Sequence, residues 1–344
     1  MKPIRVGIVG AGENTRLRHI PQLQAIEGVE IVSVVNRRKE SSERVAKDYG
    51  IPVVYDSWEK LVEAADTDAI VIGTWPYLHC PVTLAALDAG KHVMTEARMS
   101  MDVTEARNML AAAEKRPDLV TQVVPSPFSL PLDRTISRMI REGYLGEVLA
   151  VDVQAWTGSF LEKESPMHWR QDQAYSGKNI MTLGIWYEAV MRWIGEATQV
   201  QAMGKVFVES RKDPISGQLQ SVKIPEHLVV TAEMENNAMA TFQVSNVKGG
   251  VPANEAQIIG SHGTLLVANG ELFGCTPEQP QFSKISIPKE EAIGWRVEEE
   301  FINAIRGVEK ITHTTFADGV RYMKFTEGVH KSLQESRKVD LSEI

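Results

Sequence analysis

Two glycines near the start carry the sharpest chemical signal in the chain. Gly10 and Gly12 stand in Val6-Gly7-Ile8-Val9-Gly10-Ala11-Gly12-Glu13-Asn14-Thr15, where a short apolar run meets a segment of helical pattern. Gly10 lets the chain turn tightly. Gly12 lets backbone approach a pyrophosphate, which sits over the N-terminus of the following helix. The third glycine of the usual fingerprint is absent; Thr15 stands there, and it or Asn14 caps the helix. A glycine pair alone is a weak sign, because tight strand-to-helix turns use glycine anyway. At residue 10 of an alternating strand–helix pattern it points to a nicotinamide dinucleotide.

The second apolar run ends at Asn36-Arg37-Arg38. A carboxylate there would hold the ribose hydroxyls of NAD. A neutral amide and two arginines instead suit the 2′-phosphate of NADP, through bidentate contacts. NADP is the expected cofactor, with NAD still open; a solvated basic turn is the plain alternative. Farther on, Pro166-Met167-His168-Trp169-Arg170 sets an aromatic face beside a histidine and an arginine. Trp169 offers a stacking surface and Arg170 a fork of donors, a combination that suits a sugar or a carboxylate.

The elements that must position these residues are legible in outline. Apolar runs over 4–9, 29–35, 69–72, 92–95 and 120–124 read as strands. Helical segments over 15–26, 39–49, 78–89 and 102–115 alternate with them. Near-continuous apolar strands between helices mean a parallel sheet covered on both faces. Gly50 and Gly90 stand where helix C-caps belong. The texture changes at Pro125-Ser126-Pro127. After a helix over 132–142 and a turn over 143–146, strands dominate at 148–156, 199–208, 227–235, 239–245, 255–260 and 264–268. Asn236-Asn237 marks a hairpin turn, and helices over 297–306 and 317–336 close the chain. The expected architecture is α/β: an N-terminal Rossmann domain over 1–125, then a C-terminal α/β domain over 126–344 with a large, mostly antiparallel open sheet.

Composition bounds the rest. The chain has 344 residues, 43% hydrophobic, with a formal net charge of −8. That is enough for two domains, and the acidic balance argues against a nucleic-acid partner, which needs a basic face. The two cysteines, Cys80 and Cys275, form neither a disulfide scaffold nor a metal spacing, and read as buried reduced thiols. No apolar run approaches the roughly 18 residues of a membrane helix. With no signal-peptide pattern at the start, a cytoplasmic setting is expected.

Several separate stretches, in the right order, resemble the glucose–fructose oxidoreductase, inositol dehydrogenase and rhizopine-catabolism (Gfo/Idh/MocA) family over nearly the whole length. They are Gly10-Ala11-Gly12 with His19 and Pro21; Thr74-Trp75-Pro76-Tyr77-Leu78-His79; Ala85 to Val93 followed by Glu96; Gly143 to Val148; and Ser332 to Leu341. The resemblance implies NAD(P)-dependent oxidation or reduction of a sugar, polyol or related carbonyl compound. It implies assembly as a homodimer or homotetramer. It also implies that Thr74, Trp75 and His79 line the nicotinamide side of the cofactor, with Glu96 close to its ribose.

The chain departs from that pattern where the chemistry is done. The family's Glu-Lys-Pro is here Glu96-Ala97-Arg98, and the positions of its Asp and His, one helical turn apart, hold Thr182 and Trp186. Arg98 binds an oxygen but is a poor base, because a guanidinium keeps its proton near neutral pH. The remaining candidates for proton transfer are His168, Lys178, Tyr187 and Glu188. Lys178 and Tyr187 would act together, since a cation lowers a phenol's pKa; Glu188 has Arg192 one turn on. Arg98, His168 and Arg170, with Trp169 and Trp186, are the expected substrate contacts. Three functions stay open: an NADP(H)-dependent sugar or polyol oxidoreductase, a redox-neutral enzyme that retains its dinucleotide (a lyase, epimerase or glycosidase), and a binding or sensing protein without turnover.

Overall fold

A computed structural model describes residues 2–344. The chain forms two compact units. The first comprises the described residues up to Pro125 together with Arg296–Val320; the second comprises Ser126–Trp295 and Arg321–Ile344.

The first unit begins with β1 (Ile4–Val9). A helical stretch follows, a π-turn at Thr15–His19 running into α1 (Ile20–Ala25). Then come β2 (Val29–Val35), α2 (Lys39–Tyr49), β3 (Val53–Val54), α3 (Trp58–Glu63), β4 (Ala69–Ile72), α4 (His79–Asp88), β5 (His92–Thr95), α5 (Val103–Glu114) and β6 (Thr121–Val123). The strands pair in the order β3-β2-β1-β4-β5-β6, all parallel. Val6, Ile8, Val34, Ile70, Ile72 and Val93 are fully buried, as strands covered on both faces require. The strand order reverses between β1 and β4, and in such sheets that switch point is where a ligand crevice opens. α2 stops at Gly50, whose φ of +68° is the left-handed C-cap.

In the second unit α6 (Asp133–Arg141) leads into β7 (Val148–Trp156). After α7 (Gln173–Ser176) and α8 (Leu183–Ile194) come β8 (Ala197–Lys205), β9 (Ser210–Lys212), β10 (Leu219–Ser221), β11 (His227–Met234), β12 (Met239–Ser245), β13 (Ala253–Gly260), β14 (Thr264–Ala268), β15 (Glu271–Thr276) and β16 (Gln279–Lys284). The chain ends with α9 (Val297–Ile305), α10 (Phe316–Glu335) and β17 (Val339–Asp340). Nine strands form one sheet in the order β16-β15-β14-β13-β7-β12-β11-β8-β17, antiparallel except where β12 meets β7. Its strands alternate: Val151, Val153, Val230, Phe242 and Ile258 are buried on one face. The other face leaves Met203, Val229 and Met239 exposed.

The domain boundaries differ from the expectation in one respect. The block read as 126–344 is interrupted, because residues 296–320 belong to the first unit. Thr314 and Val123 exchange backbone hydrogen bonds of 2.9 and 3.1 Å, which satisfies the edge of β6. Gln122 Nε2 donates to Glu300 Oε2 at 2.9 Å. Cys80 is buried as expected, whereas Cys275 is half-buried; both are free thiols.

The second unit contains a buried ion pair. Arg211 and Glu226 are 2% and 0% exposed. The Arg211 guanidinium donates to the carbonyls of Phe160, Glu162 and Ser165 and to Glu226 Oε1. Glu226 also accepts from Gln171 Nε2 and from the amides of Phe207 and Val208. One guanidinium therefore fastens the 160–165 loop to the sheet. Arg211→Ala leaves the carbonyls of Phe160, Glu162 and Ser165 without this donor and the buried Glu226 carboxylate without its cation, and is expected to lower stability by about 3–5 kcal/mol. Denaturant unfolding followed by tryptophan fluorescence reads this; a loss under about 1 kcal/mol would show that the pair does not hold the loop.

Candidate functional site

A cavity of about 490 Å³ opens at the C-terminal ends of β1, β2 and β4. Its floor is the glycine turn after β1. Gly10 has φ +85°, and a Cβ there would stand 2.5 Å from Thr74 Cγ2 and 2.8 Å from Thr74 N. A Cβ on Gly73 would stand 2.0 Å from Thr15 Oγ1 and 2.3 Å from Gly10 O; one on Gly12 would stand 3.1 Å from Gly73 O. Only glycine lets these two turns close on each other. Gly10 N donates to Val35 O and Gly73 N to Val9 O, both at 2.8 Å, so the turns continue the sheet's hydrogen bonding.

Of the residues expected at a cofactor, Gly10, Gly12, Asn36, Arg37, Arg38, Thr74 and Trp75 line this cavity together. The Asn36 side chain is committed on both sides: Oδ1 accepts from Ala11 N at 2.6 Å and Nδ2 donates to Ser41 Oγ at 3.2 Å. Arg37 and Arg38 are exposed at its rim, and the Arg37 guanidinium lies 5.4 Å from the Trp75 ring centroid. Thr74 Oγ1 is buried with no hydrogen-bond partner in the chain. A backbone-walled hollow at a helix start, a bare hydroxyl and two rim cations fit a dinucleotide: its pyrophosphate over Gly12, its adenosine end toward the arginines.

The other four expected cofactor residues stand behind this wall. Thr15 is 1% exposed and does not cap the helix; its hydroxyl donates to Gly10 O at 3.3 Å. Asn14 makes no cap bond either, and its Nδ2 donates to Glu96 Oε1 at 2.5 Å. Glu96 also meets His19 Nε2 at 3.0 Å. His79 is fully buried rather than lining the cavity. Its ring nitrogens face Arg98 O at 2.8 Å and Thr74 O at 3.0 Å, so it ties two loops together, and burial pushes its pKa down.

The expected acid–base residues are corrected by their surroundings. Tyr187 is 1% exposed, its ring stacks on Phe325 at 3.7 Å, and its hydroxyl accepts from Ala197 N at 2.9 Å. Burial drives its pKa well above that of an ordinary phenol. Lys178 pairs with Glu327, so no Lys178–Tyr187 couple forms. Trp186 is fully buried against Phe128, with Nε1 donating to Asn254 Oδ1 at 2.9 Å, and is a core residue rather than a substrate contact. Glu188 is buried, paired with Arg192 and accepting from Ser126 N. Arg98 is 3% exposed.

His168 and Arg170 do come together, on a second cavity of about 310 Å³ within the second unit, beside Ser159, Ser165, Asn246 and Phe160. Arg170 stacks over Trp169, 4.3 Å from the ring centroid. His168 Nδ1 accepts from Arg170 N at 3.1 Å. That bond assigns the neutral tautomer with its proton on Nε2, so the ring is a hydrogen-bond donor rather than a base.

Sequence reasoning missed the far wall of the first cavity, formed by Asp56, Ser57 and Trp58. Its signal was present: Ser57 opens α3 as an N-cap, accepting from Lys60 N.

Comparison with known proteins follows from this geometry. Residues 4–123 match the GFO_IDH_MocA model, described as an oxidoreductase family with an NAD-binding Rossmann fold; residues 134–266 match the GFO/IDH/MocA C-terminal domain. Glucose-fructose oxidoreductase domain-containing protein 2 of Xenopus laevis is 28% identical over 273 residues, covering 78% of this chain and 69% of that protein. An uncharacterized oxidoreductase of Synechocystis sp. is 23% identical over 273 residues, covering 78% of this chain and 72% of that protein. Among solved structures, levoglucosan dehydrogenase in complex with NADH and levoglucosan superposes with a TM-score of 0.87 at 18% identity, over 99% of this chain and 100% of that one. At that identity the likeness shows the fold.

The glycine contacts give a direct test of the cavity. Gly73→Ala must push the two turns apart, and is expected to weaken dinucleotide binding at least tenfold, about 1.4 kcal/mol. Gly50→Ala strains a left-handed C-cap away from the cavity, and should lower the melting temperature while leaving affinity unchanged. Fluorescence titration with NADPH and NADH separates them; unchanged affinity in Gly73→Ala would remove the turn from the binding site.

Proposed function

The chain belongs to the GFO/IDH/MocA oxidoreductase family, and from that footing we propose that it moves hydride between NADP(H) and a carbohydrate-like substrate, a sugar, polyol or related carbonyl compound. The observation that carries the cofactor choice is the rim of the first cavity. The position that would hold ribose hydroxyls with a carboxylate holds Asn36, whose oxygen is engaged by Ala11 N. The next two residues are exposed cations facing the same hollow. That arrangement offers a 2′-phosphate two charge-assisted partners and offers a 2′-hydroxyl no carboxylate.

The substrate class rests on the second cavity and on the family. His168 as a donor, Arg170 as a fixed cation, and Asn246, Ser159 and Ser165 around Phe160 suit a polyhydroxylated molecule, with Arg170 available to a carboxylate. The levoglucosan dehydrogenase structures, whose ligands are levoglucosan and L-sorbose, support the same class. The bound nicotinamide would supply or accept the hydride. Arg98, one residue after Ala97, which occupies the place of the family's lysine, would hold the reacting oxygen, and its guanidinium would not take the proton.

One observation favours a second reading, dinucleotide binding without turnover. Tyr187, Lys178 and Glu188 are each committed to other partners, and the His168 tautomer is a donor. None of these side chains is then left to carry the proton that hydride transfer to or from an alcohol requires.

Two measurements test these readings. Changing both Arg37 and Arg38 to alanine is expected to weaken NADPH binding by about 10–100-fold, the loss of one charge-assisted bond of about 1.5–3 kcal/mol, with NADH binding little changed. Equal losses for both dinucleotides would defeat the NADP assignment. Purified protein supplied with NADPH and a panel of keto-sugars and sugar acids is expected to oxidise the cofactor. Tight NADPH binding with no oxidation by any of them would leave the second reading standing.

A further inference from the structure

A buried charge cluster lies directly behind the dinucleotide turn, and no step described so far uses it. His19 sits on the helical stretch that follows Gly12 and is 0% exposed. Its Nε2 lies 3.0 Å from Glu96 Oε1, at the end of β5, and its Nδ1 contacts Glu298 Oε1 on α9. The side chains of Glu96 and Glu298 are 15% and 1% exposed. Both ring nitrogens thus face carboxylate oxygens, which accept only when ionised. A neutral imidazole would turn a lone pair toward one of them. An imidazolium satisfies both carboxylates at once, with Asn14 Nδ2 also 3.3 Å from Nε2.

The cluster reaches the cavity through Glu96. Asn14, two residues after Gly12, donates to the same Glu96 Oε1, and Ala97 N donates to Glu96 Oε2 at 3.2 Å. One ring thereby connects three things: the helix start beneath the pyrophosphate position, the end of β5, and the returning helix α9. Glutamine in its place reaches one carboxylate, not both.

We propose that His19 is a positioning residue for the dinucleotide: its imidazolium holds Glu96, and through it Asn14 and the first helical turn, in the arrangement that binds the cofactor, so that alkaline pH releases it. The proposal rests on the dinucleotide reading of the first cavity. The titratable groups facing the ring are Glu96 and Glu298. Burial alone would push the His19 pKa down; the hydrogen bonds its ring donates to Glu298 and Glu96 outweigh it and raise it to about 9, while the bond to Glu96 holds that carboxyl below the usual carboxylate range. The sign follows. The folded-state pKa lies above the ordinary histidine value of 6.5, so the stabilisation is fully present below pH 6.5 and is lost as pH rises through about 9. A cofactor 2′-phosphate finishes titrating below that window.

The test is an NADPH titration by fluorescence from pH 6.5 to 10, with thermal melts at each pH, on the wild type, His19→Gln and Glu298→Gln. The wild type is expected to keep its affinity to about pH 8 and to lose about tenfold by pH 10, consistent with one proton released on opening the cluster. Glu298→Gln removes one of the two anionic partners, and should fold and show the same loss at lower pH. His19→Gln should bind more weakly at pH 7 and show no alkaline step. Should His19→Gln fail to fold, the Glu298→Gln midpoint decides. A wild-type affinity flat to pH 10, an alkaline step unchanged in His19→Gln, or a Glu298→Gln midpoint equal to wild type overturns the proposal. Absence of any wild-type binding at pH 7 instead defeats the dinucleotide reading, and this inference with it.

Discussion

At the C-terminal ends of β1 and β4 two backbone turns pass so close that side chains do not fit between them. Gly10 and Gly73 meet there, with Thr15 and Thr74 packed against them. The close approach follows from the order of the parallel sheet, in which β1 and β4 are neighbours and the chain leaves them in opposite directions. Everything that makes the first cavity useful is downstream of that contact. It sets the helix start at the edge of the hollow, leaves backbone rather than side chain as its floor, and places Asn36 where its amide clamps Ala11. A phosphate-bearing ligand is then met by oriented backbone dipoles that need no reorganisation.

The glycines, the Thr74–His79 loop and Glu96 stand where the resemblance to the family expects them, whereas Ala97 in this unit and Thr182 and Trp186 in the second fall where it expects acid–base groups. Trp186 and Tyr187 explain why sequence reasoning overvalued them. On α8 nearly every residue is buried, so an aromatic there contributes packing, and its polar atom takes whatever partner the core provides. For Trp186 that is Asn254, and for Tyr187 the Ala197 amide.

How much was legible follows from burial. β1, β2, β4, β5, β7, β12 and β14 were readable to the residue because apolar runs or clean alternation are what a covered sheet demands. β3 is two residues long, and β10 and β16 are exposed throughout, so no hydrophobic pattern marks them. β15 alternates weakly and was also missed. The glycine turn and the Asn36–Arg38 rim were legible because local chemistry dictates them. The cluster around His19 was not, since Glu298 lies 279 positions away. The Arg211–Glu226 pair was hidden for a related reason: in sequence both look like surface charges, and only the fold buries them together.

The most direct test of the central claim, a glycine-floored cavity that reads the 2′-phosphate of NADP, is a crystal structure of the NADP⁺ complex. The expected result has the pyrophosphate over Gly12, with at least one 2′-phosphate oxygen about 2.7–2.9 Å from an Arg37 or Arg38 guanidinium nitrogen. Asn36 should still accept from Ala11. A bound dinucleotide whose 2′-phosphate points away from both arginines, or a cavity left empty at saturating NADP⁺, would contradict it.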